Sequence, residues 1–105
     1  MTKGIEAIAK EREDQIIKYG FTGLAQAIRP AYYDRGQLLY AARMLSVVTI
    51  NSALVGPPAL WNHDWWVKLC DKPYMERLAI AGALIAAEID RQEAIKQNNI
   101  LQHGV

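Results

Sequence analysis

The chain has 105 residues, a length that suits one domain, and just over half of them are apolar, enough for a core. Its 12 basic and 11 acidic residues nearly cancel, which argues against general nucleic-acid binding, where a basic excess supplies most of the affinity. Cys70 is the single cysteine, which excludes an intramolecular disulfide and a cysteine-based zinc site and suits a reducing cytoplasm.

The periodicity predicts an all-α fold: a compact three-helix domain over residues 1–97, with a short extra helix and a long Trp-rich connection, then a tail over 98–105 that frays. The first helix is expected over 2–19, capped by Thr2 and closed by Gly20. Its start carries Glu6, Glu11, Glu13 and Asp14, with no apolar signal-peptide core. Ile5, Ile8, Ala9, Ile16 and Tyr19 share one face and are expected to be buried. Thr22 caps a brief helix through Ala25 to Arg29, and Pro30 stops it.

The second helix is expected over 35–50, with Asp34 and Gln37 at capping-box spacing and Gly36 as a costly residue in its first turn. Leu38, Ala41, Ala42, Leu45 and Val48 form one apolar stripe. Tyr40, Met44 and Val47 form a second, and three helices offer little surface to cover both, so a homo-oligomer through that stripe is expected. Residues 51–72 form the connection, broken at Gly56, Pro57 and Pro58 and crowded at Trp61, Trp65 and Trp66. The tryptophans are either a lid on the core or a stacking platform for a ring. The third helix is expected over 73–96, opened by Asp71 as cap and Pro73. From Leu78 to Ala87 it is apolar on every side, which makes it the central helix. That run of about 10 residues is half of what crosses a bilayer, so no membrane span is expected.

Charged residues stand where the pattern asks for apolar ones. On a wheel of about 100° per residue, Arg12 lies within about 40° of Ile5, Ile8 and Ile16. Gln15 borders that stripe, Glu11 lies just beyond it, and Glu88 falls between Leu84 and Ile85. A buried charge needs a partner, and Arg12 with Glu88 is the pairing expected, either as a structural ion pair or as the floor of a ligand pocket. Glu11 and Asp14, three apart, could share a divalent cation, with Glu88 as a third ligand, although Asp14 points away from the buried stripe. Glu88 and Asp90 diverge by roughly 160° and cannot share one ion. His63, His103 and Cys70 have no partners at catalytic or ligand spacing, and neither a phosphate loop nor a nucleophile elbow is present.

Taken together, several motifs resemble a group of small helical proteins of bacteriophages, prophages and their bacterial hosts. These motifs are Glu11, Arg12, Gln15, Ile16 followed by Gly20, Phe21, Thr22; then Gly36, Gln37, Leu38 with Ala41, Ala42; then Trp61, Trp65, Trp66 with Lys68; and finally Ala81 to Ile85 with Ala87 to Arg91. The similarity runs from Lys10 to Arg91. The chain departs from that pattern at Leu24 to Ile28, where the group carries His-Asp or Asp-Asp, and at Ile80, where it often carries Lys. The resemblance implies a helical fold and a phage-related context, with no activity attached.

The sequence thus points to a phage-related cytoplasmic accessory protein. It is expected to act as a non-catalytic binding or assembly module for a host protein or a small anionic, nucleotide-like ligand. The expected ligand-binding residues are Glu11, Arg12, Gln15, Trp61, Trp65, Glu88 and Arg91, with no cofactor. The alternative is a Mg²⁺-dependent nucleotide hydrolase similar to the all-α pyrophosphohydrolases, using Glu11, Asp14 and Glu88, but residues 38–50 contain no carboxylate to complete such a site.

Overall fold

A computed structural model describes the backbone of residues 1–102 and the side chains of residues 1–97. It contains α1 (Lys3–Tyr19), α2 (Gly23–Ala27), α3 (Pro30–Tyr33), α4 (Gln37–Leu45), α5 (His63–Cys70) and α6 (Tyr74–Gln102), and no strand among the described residues. At 1.5 Å per residue, the 29 residues of α6 run about 43 Å and account for most of the 48 Å long axis. α1, α2 and α4 all pack on α6, the central helix the apolar run predicts. No described helix is long and apolar enough to cross a membrane.

Local chemistry sets the expected boundaries of α1 and the start of α2. The Thr2 hydroxyl accepts from the Ile5 N–H at 3.4 Å, and Gly20 closes α1 at φ +68°, a conformation that disfavours any side chain. The Thr22 hydroxyl accepts from the Ala25 N–H at 3.1 Å. Pro30 does more than stop α2: it opens α3, its ring fixing φ where no N–H is needed.

The capping box expected at α4 is absent. Gly36 is the residue before the helix, at φ +72°, so its flexibility is used and not wasted. Gln37 is buried and turns backward: its Oε1 accepts from the Arg35 N–H at 2.7 Å and its Nε2 donates to the Ala31 carbonyl at 3.0 Å. Asp34 is thereby freed for another partner. At its other end α4 stops at Leu45, before the β-branched run Val47 to Ile50, which disfavours helix. Val48 is therefore exposed, not part of the buried stripe.

The expected connection holds α5. Asn62 caps it by accepting from the Trp65 N–H at 2.8 Å, and Asp71 ends α5 where the sequence pattern has it opening the next helix. Trp66 is wholly buried, donates from its indole to the Val55 carbonyl at 2.8 Å and stacks on Tyr40 at 6.2 Å. The Tyr40 hydroxyl donates to the Gly56 carbonyl at 2.9 Å, and Met44 packs against the same core. The second stripe of α4 is thus covered largely by the chain's own connection, and Val47 alone stays exposed. α6 runs past the expected end at 96 to Gln102, so the segment expected to fray from 98 begins as helix, and residues 103–105 lie outside the described ones.

The α1 stripe departs most from expectation. Ile5, Ile16 and Tyr19 are exposed, and Arg12 is the one buried residue of the helix. Ile8 sits tightly on α6 at Gly82, where a Cβ would lie 2.6 Å from Ile8 Cδ1. Towards its C-terminus α1 borders a cavity instead of a packed helix.

Candidate ligand-binding site

A cavity of about 670 Å³ opens between α1, the α2–α3 segment, α5 and the middle of α6. Its volume is typical of a small-molecule pocket. Leu38, Leu69, Ile80 and Leu84 supply apolar surface from the core. The aromatic side chains come from two stretches distant in sequence. Phe21 stacks on Tyr19 at 5.6 Å and meets the edge of Trp65 at 6.4 Å; Trp61 tilts against Trp65 at 5.6 Å and meets Tyr33 edge-on at 6.4 Å. The Trp61 indole donates to the Tyr32 carbonyl at 3.0 Å, tying the two stretches together. Leu60, which leads into Trp61, has φ +69°, the one non-glycine residue with left-handed backbone among those described. Such strain costs about 1–3 kcal/mol and persists where surrounding contacts impose it, commonly at sites.

The polar lining is mixed. Glu11, Asp14, Gln15 and Lys18 come from α1, and Lys68 and Lys72 from the end of α5 and just beyond. Asp14 lies 3.9 Å from Lys10 and 3.7 Å from Lys18, and Lys72 lies 3.9 Å from Glu76. Lys68 has no carboxylate partner among the described residues. Gln26, from α2, is only 2% exposed, and its Oε1 has no hydrogen-bond partner among the described residues. Burial pushes the pKa of the neighbouring Tyr33 up, opposed by the Gln26 amide and the Arg29 charge, so this phenol stays neutral.

Of the residues expected at the site, Glu11, Gln15, Trp61 and Trp65 line the cavity, and Glu88 and Arg91 do not. The expected Arg12–Glu88 pair does not form. Arg12 pairs with Asp90: Nε donates to Oδ2 at 2.8 Å, and Nη2 lies 2.7 Å from the same oxygen without a well-aligned hydrogen bond. Its Nη1 donates to Gln15 Oε1 at 3.2 Å and to the Phe21 carbonyl at 2.8 Å. Arg12 therefore stands behind the cavity and positions two of its lining residues. Asp90 is 47% exposed by side chain, so α1 is held by a pair that water still reaches.

Glu88 turns along its own helix. Both its oxygens accept from Arg91 at 2.7 Å, and Arg91 Nη1 reaches Asp34 at 2.6 Å, joining α6 to the turn after α3. Wheel positions fix a direction at Cα, but a long side chain three residues away can claim a carboxylate before a neighbouring helix does. No three His, Cys, Asp or Glu side chains cluster to hold a metal ion among the described residues, so Glu11, Asp14 and Glu88 do not assemble as a site.

The Arg91 guanidinium holds the Glu88 carboxyl below its ordinary value of 4.5, against the opposing effect of burial. A depressed carboxylate contributes stability that is complete above the unfolded value and is lost as pH falls through the folded one. Thermal melts of the wild type and Glu88→Gln should therefore differ most near pH 7 and converge as pH falls below about 4.5. Equal melting temperatures at pH 7 would show that the pair adds nothing. Burial and the adjacent Asp71 charge push the Cys70 thiol up, which makes it a poor nucleophile, as its isolation in sequence implies.

Phe21, Gln26, Tyr32, Tyr33, Lys68 and Lys72 also line the cavity and were not among the expected site residues. The aromatic density of 19–33 was the available signal for three of them, Phe21, Tyr32 and Tyr33; for Gln26 none existed. Comparison with protein-family models, with curated proteins and with solved structures finds no match. The two places where the chain departs from the phage-protein pattern reach the cavity through Gln26 and Ile80.

Proposed function

We propose that the protein is a non-catalytic binding module that holds a small, planar, anionic ligand in this cavity. The observation that carries the reading is the combination of aromatic side chains from two segments with three lysines, against the two carboxylates Glu11 and Asp14, around a pocket of about 670 Å³. Rings offer flat stacking surface, worth about 1–3 kcal/mol for each stacked base, and lysines attract the charge. The hydrolase alternative gains no support: Glu11 and Asp14 both reach the cavity, but Asp14 is shared between two lysines and no third carboxylate joins them. The resemblance to phage proteins supports a phage-related context and adds no chemistry.

Tryptophan fluorescence tests the reading, because Trp61 and Trp65 line the cavity. Titration with planar anions (nucleoside monophosphates and indole-3-carboxylate) should give saturable quenching with at least one of them, weakened about tenfold or more in Trp65→Leu by loss of one stacking contact. Saturating ligand at about 100 times Kd should also stabilise the fold by about 2.7 kcal/mol. No saturation with any planar anion would remove the proposal.

A further inference from the structure

We propose that the protein self-associates as a twofold dimer, in which the face made by α1, α6 and α4 meets the same face of a second copy, with the axis running along α6. The inference is independent of the cavity, which Glu11, Asp14 and Lys18 border on the other flank of α1.

The face is apolar along its centre. On a wheel of about 100° per residue, Leu78, Ile85 and Ile89 fall within an arc of about 40° on α6. That arc lies between Gly82, which α1 covers through Ile8, and Ala81, which lines a groove with Leu39 and Arg43 of α4. Ile5 on α1 and Leu39 on α4 flank the stripe, and all five aliphatic side chains are more than a third exposed. Three neighbouring helices, each about 10 Å across, over the roughly 17 Å from Leu78 to Ile89, present on the order of 500 Å² per copy. That is the low end of what specific dimers bury, so the dimer is weak and reversible. The Tyr40 and Met44 stripe plays no part in it, because the chain covers that stripe itself.

Charge on the two rims selects a second copy as the occupant and sets its orientation. Arg35 and Arg43 line the groove on the α4 rim. Glu6 and Glu13 stand on the α1 rim, about 140–160° round α1 from Ile8, on the side away from the cavity. All four are exposed, and none has an ion-pair partner among the described residues. The rims are also in register. Arg77 bonds carbonyls of 45–48 and Arg91 reaches Asp34, so α4 runs antiparallel to α6, with Arg43 level with the Ile80 turn and Arg35 with the Asp90 turn. Ile8 on Gly82 and Arg12 on Asp90 set α1 parallel to α6, with Glu6 level with the first of those turns and Glu13 with the second. A twofold axis along α6 exchanges the rims without changing level, which sets Arg43 against the partner's Glu6 and Arg35 against the partner's Glu13. An axis across α6 sets arginines against arginines, and like charges across an interface are costly.

The test is sedimentation equilibrium from about 1 µM to about 1 mM, a range that brackets weak dimers. The proteins are the wild type, Ile85→Lys, Arg43→Glu, Glu6→Lys and the double variant that carries both charge reversals. The expected result for the wild type is a concentration-dependent monomer–dimer equilibrium. Ile85→Lys should abolish it, because the new charge meets its own copy across the axis. Each single reversal should weaken the dimer about tenfold or more, since a twofold presents every changed contact twice, and the double variant should regain most of the affinity. That rescue separates loss of the interface from loss of the fold, and circular-dichroism melts at the lowest concentration check the fold directly. A strict monomer at about 1 mM would overturn the dimer and leave the face to some other partner. Dimerisation untouched by Ile85→Lys and by both reversals would place the contact elsewhere and overturn the face. Weakening by each reversal without rescue in the double variant would overturn the axis along α6.

Discussion

Arg77→Ala is expected to lower the stability of the fold by about 3–5 kcal/mol, the largest single-residue effect in this chain outside the hydrophobic core. Arg77 is 4% exposed and makes no ion pair with a carboxylate among the described residues. Four of its five N–H donors go to backbone carbonyls: Nη1 donates to the Leu45 carbonyl at 2.9 Å and the Val47 carbonyl at 2.6 Å, Nη2 to Val48 at 2.8 Å, and Nε to Lys72 at 3.0 Å. Three of those carbonyls belong to the end of α4 and the turn beyond it, where helix carbonyls run out of N–H partners and carry partial negative charge. The Tyr74 ring adds a face 5.4 Å from the guanidinium carbon. Removing the side chain strands several acceptors at once and empties its volume. For a domain near 100 residues the loss corresponds to a fall in melting temperature on the order of 15 °C or more. Arg77→Lys should recover little of it, since one ammonium cannot span four carbonyls on separate turns. Melts followed by circular dichroism decide the matter: an Arg77→Ala protein within about 1 kcal/mol of wild type would mean that water replaces the guanidinium at no cost.

The second large effect is expected from Gly23→Ala. A methyl at Gly23 would overlap the carbonyl of Asp90, which is main chain within α6 and cannot rotate aside. Either α2 lifts away or α6 bends, and such overpacking costs about 1–3 kcal/mol. Gly82→Ala meets a softer obstacle, the side-chain end of Ile8, which can change rotamer. Gly23→Ala should therefore be the more destabilising of the two, and urea melts of the pair measure the difference. Because Gln26 shares α2 with Gly23, the same substitution should weaken any cavity ligand, whereas Gly82→Ala should spare it. The reverse order of stabilities would show that α2 is free to shift on α6.

Much of the architecture was legible in the sequence, and the reasons are local. Thr2, Gly20 and Thr22 mark helix ends through hydrogen bonds and backbone angles that involve only near neighbours. The apolar run from Leu78 to Ala87 requires partners on several sides, so α6 had to be central whatever packed on it. Buried charge at Arg12, with Gln15 beside it, followed from helical spacing in the same way.

What the sequence could not decide is which distant group answers each demand. The demand of Arg12 for a carboxylate was readable, but Glu88 and Asp90 are two residues apart, and the choice between them depends on the crossing of α1 over α6 and on Arg91 claiming Glu88 first. The second apolar stripe of α4 asked for cover, and only the path of the connection places Trp66 and Met44 in one core. Nothing in the local pattern around Arg77 points to the three carbonyls from 45–48 that the fold sets against it. The cavity is the same case: Phe21, Gln26, Trp61 and Trp65 meet because Gly23 lets α2 lie directly on the α6 backbone and the Trp61 indole bonds to the Tyr32 carbonyl. Helix ends and faces are decided by residues within a turn or two of one another. Partners across helices are decided by interaxial geometry and side-chain reach, which exist only once the chain has folded.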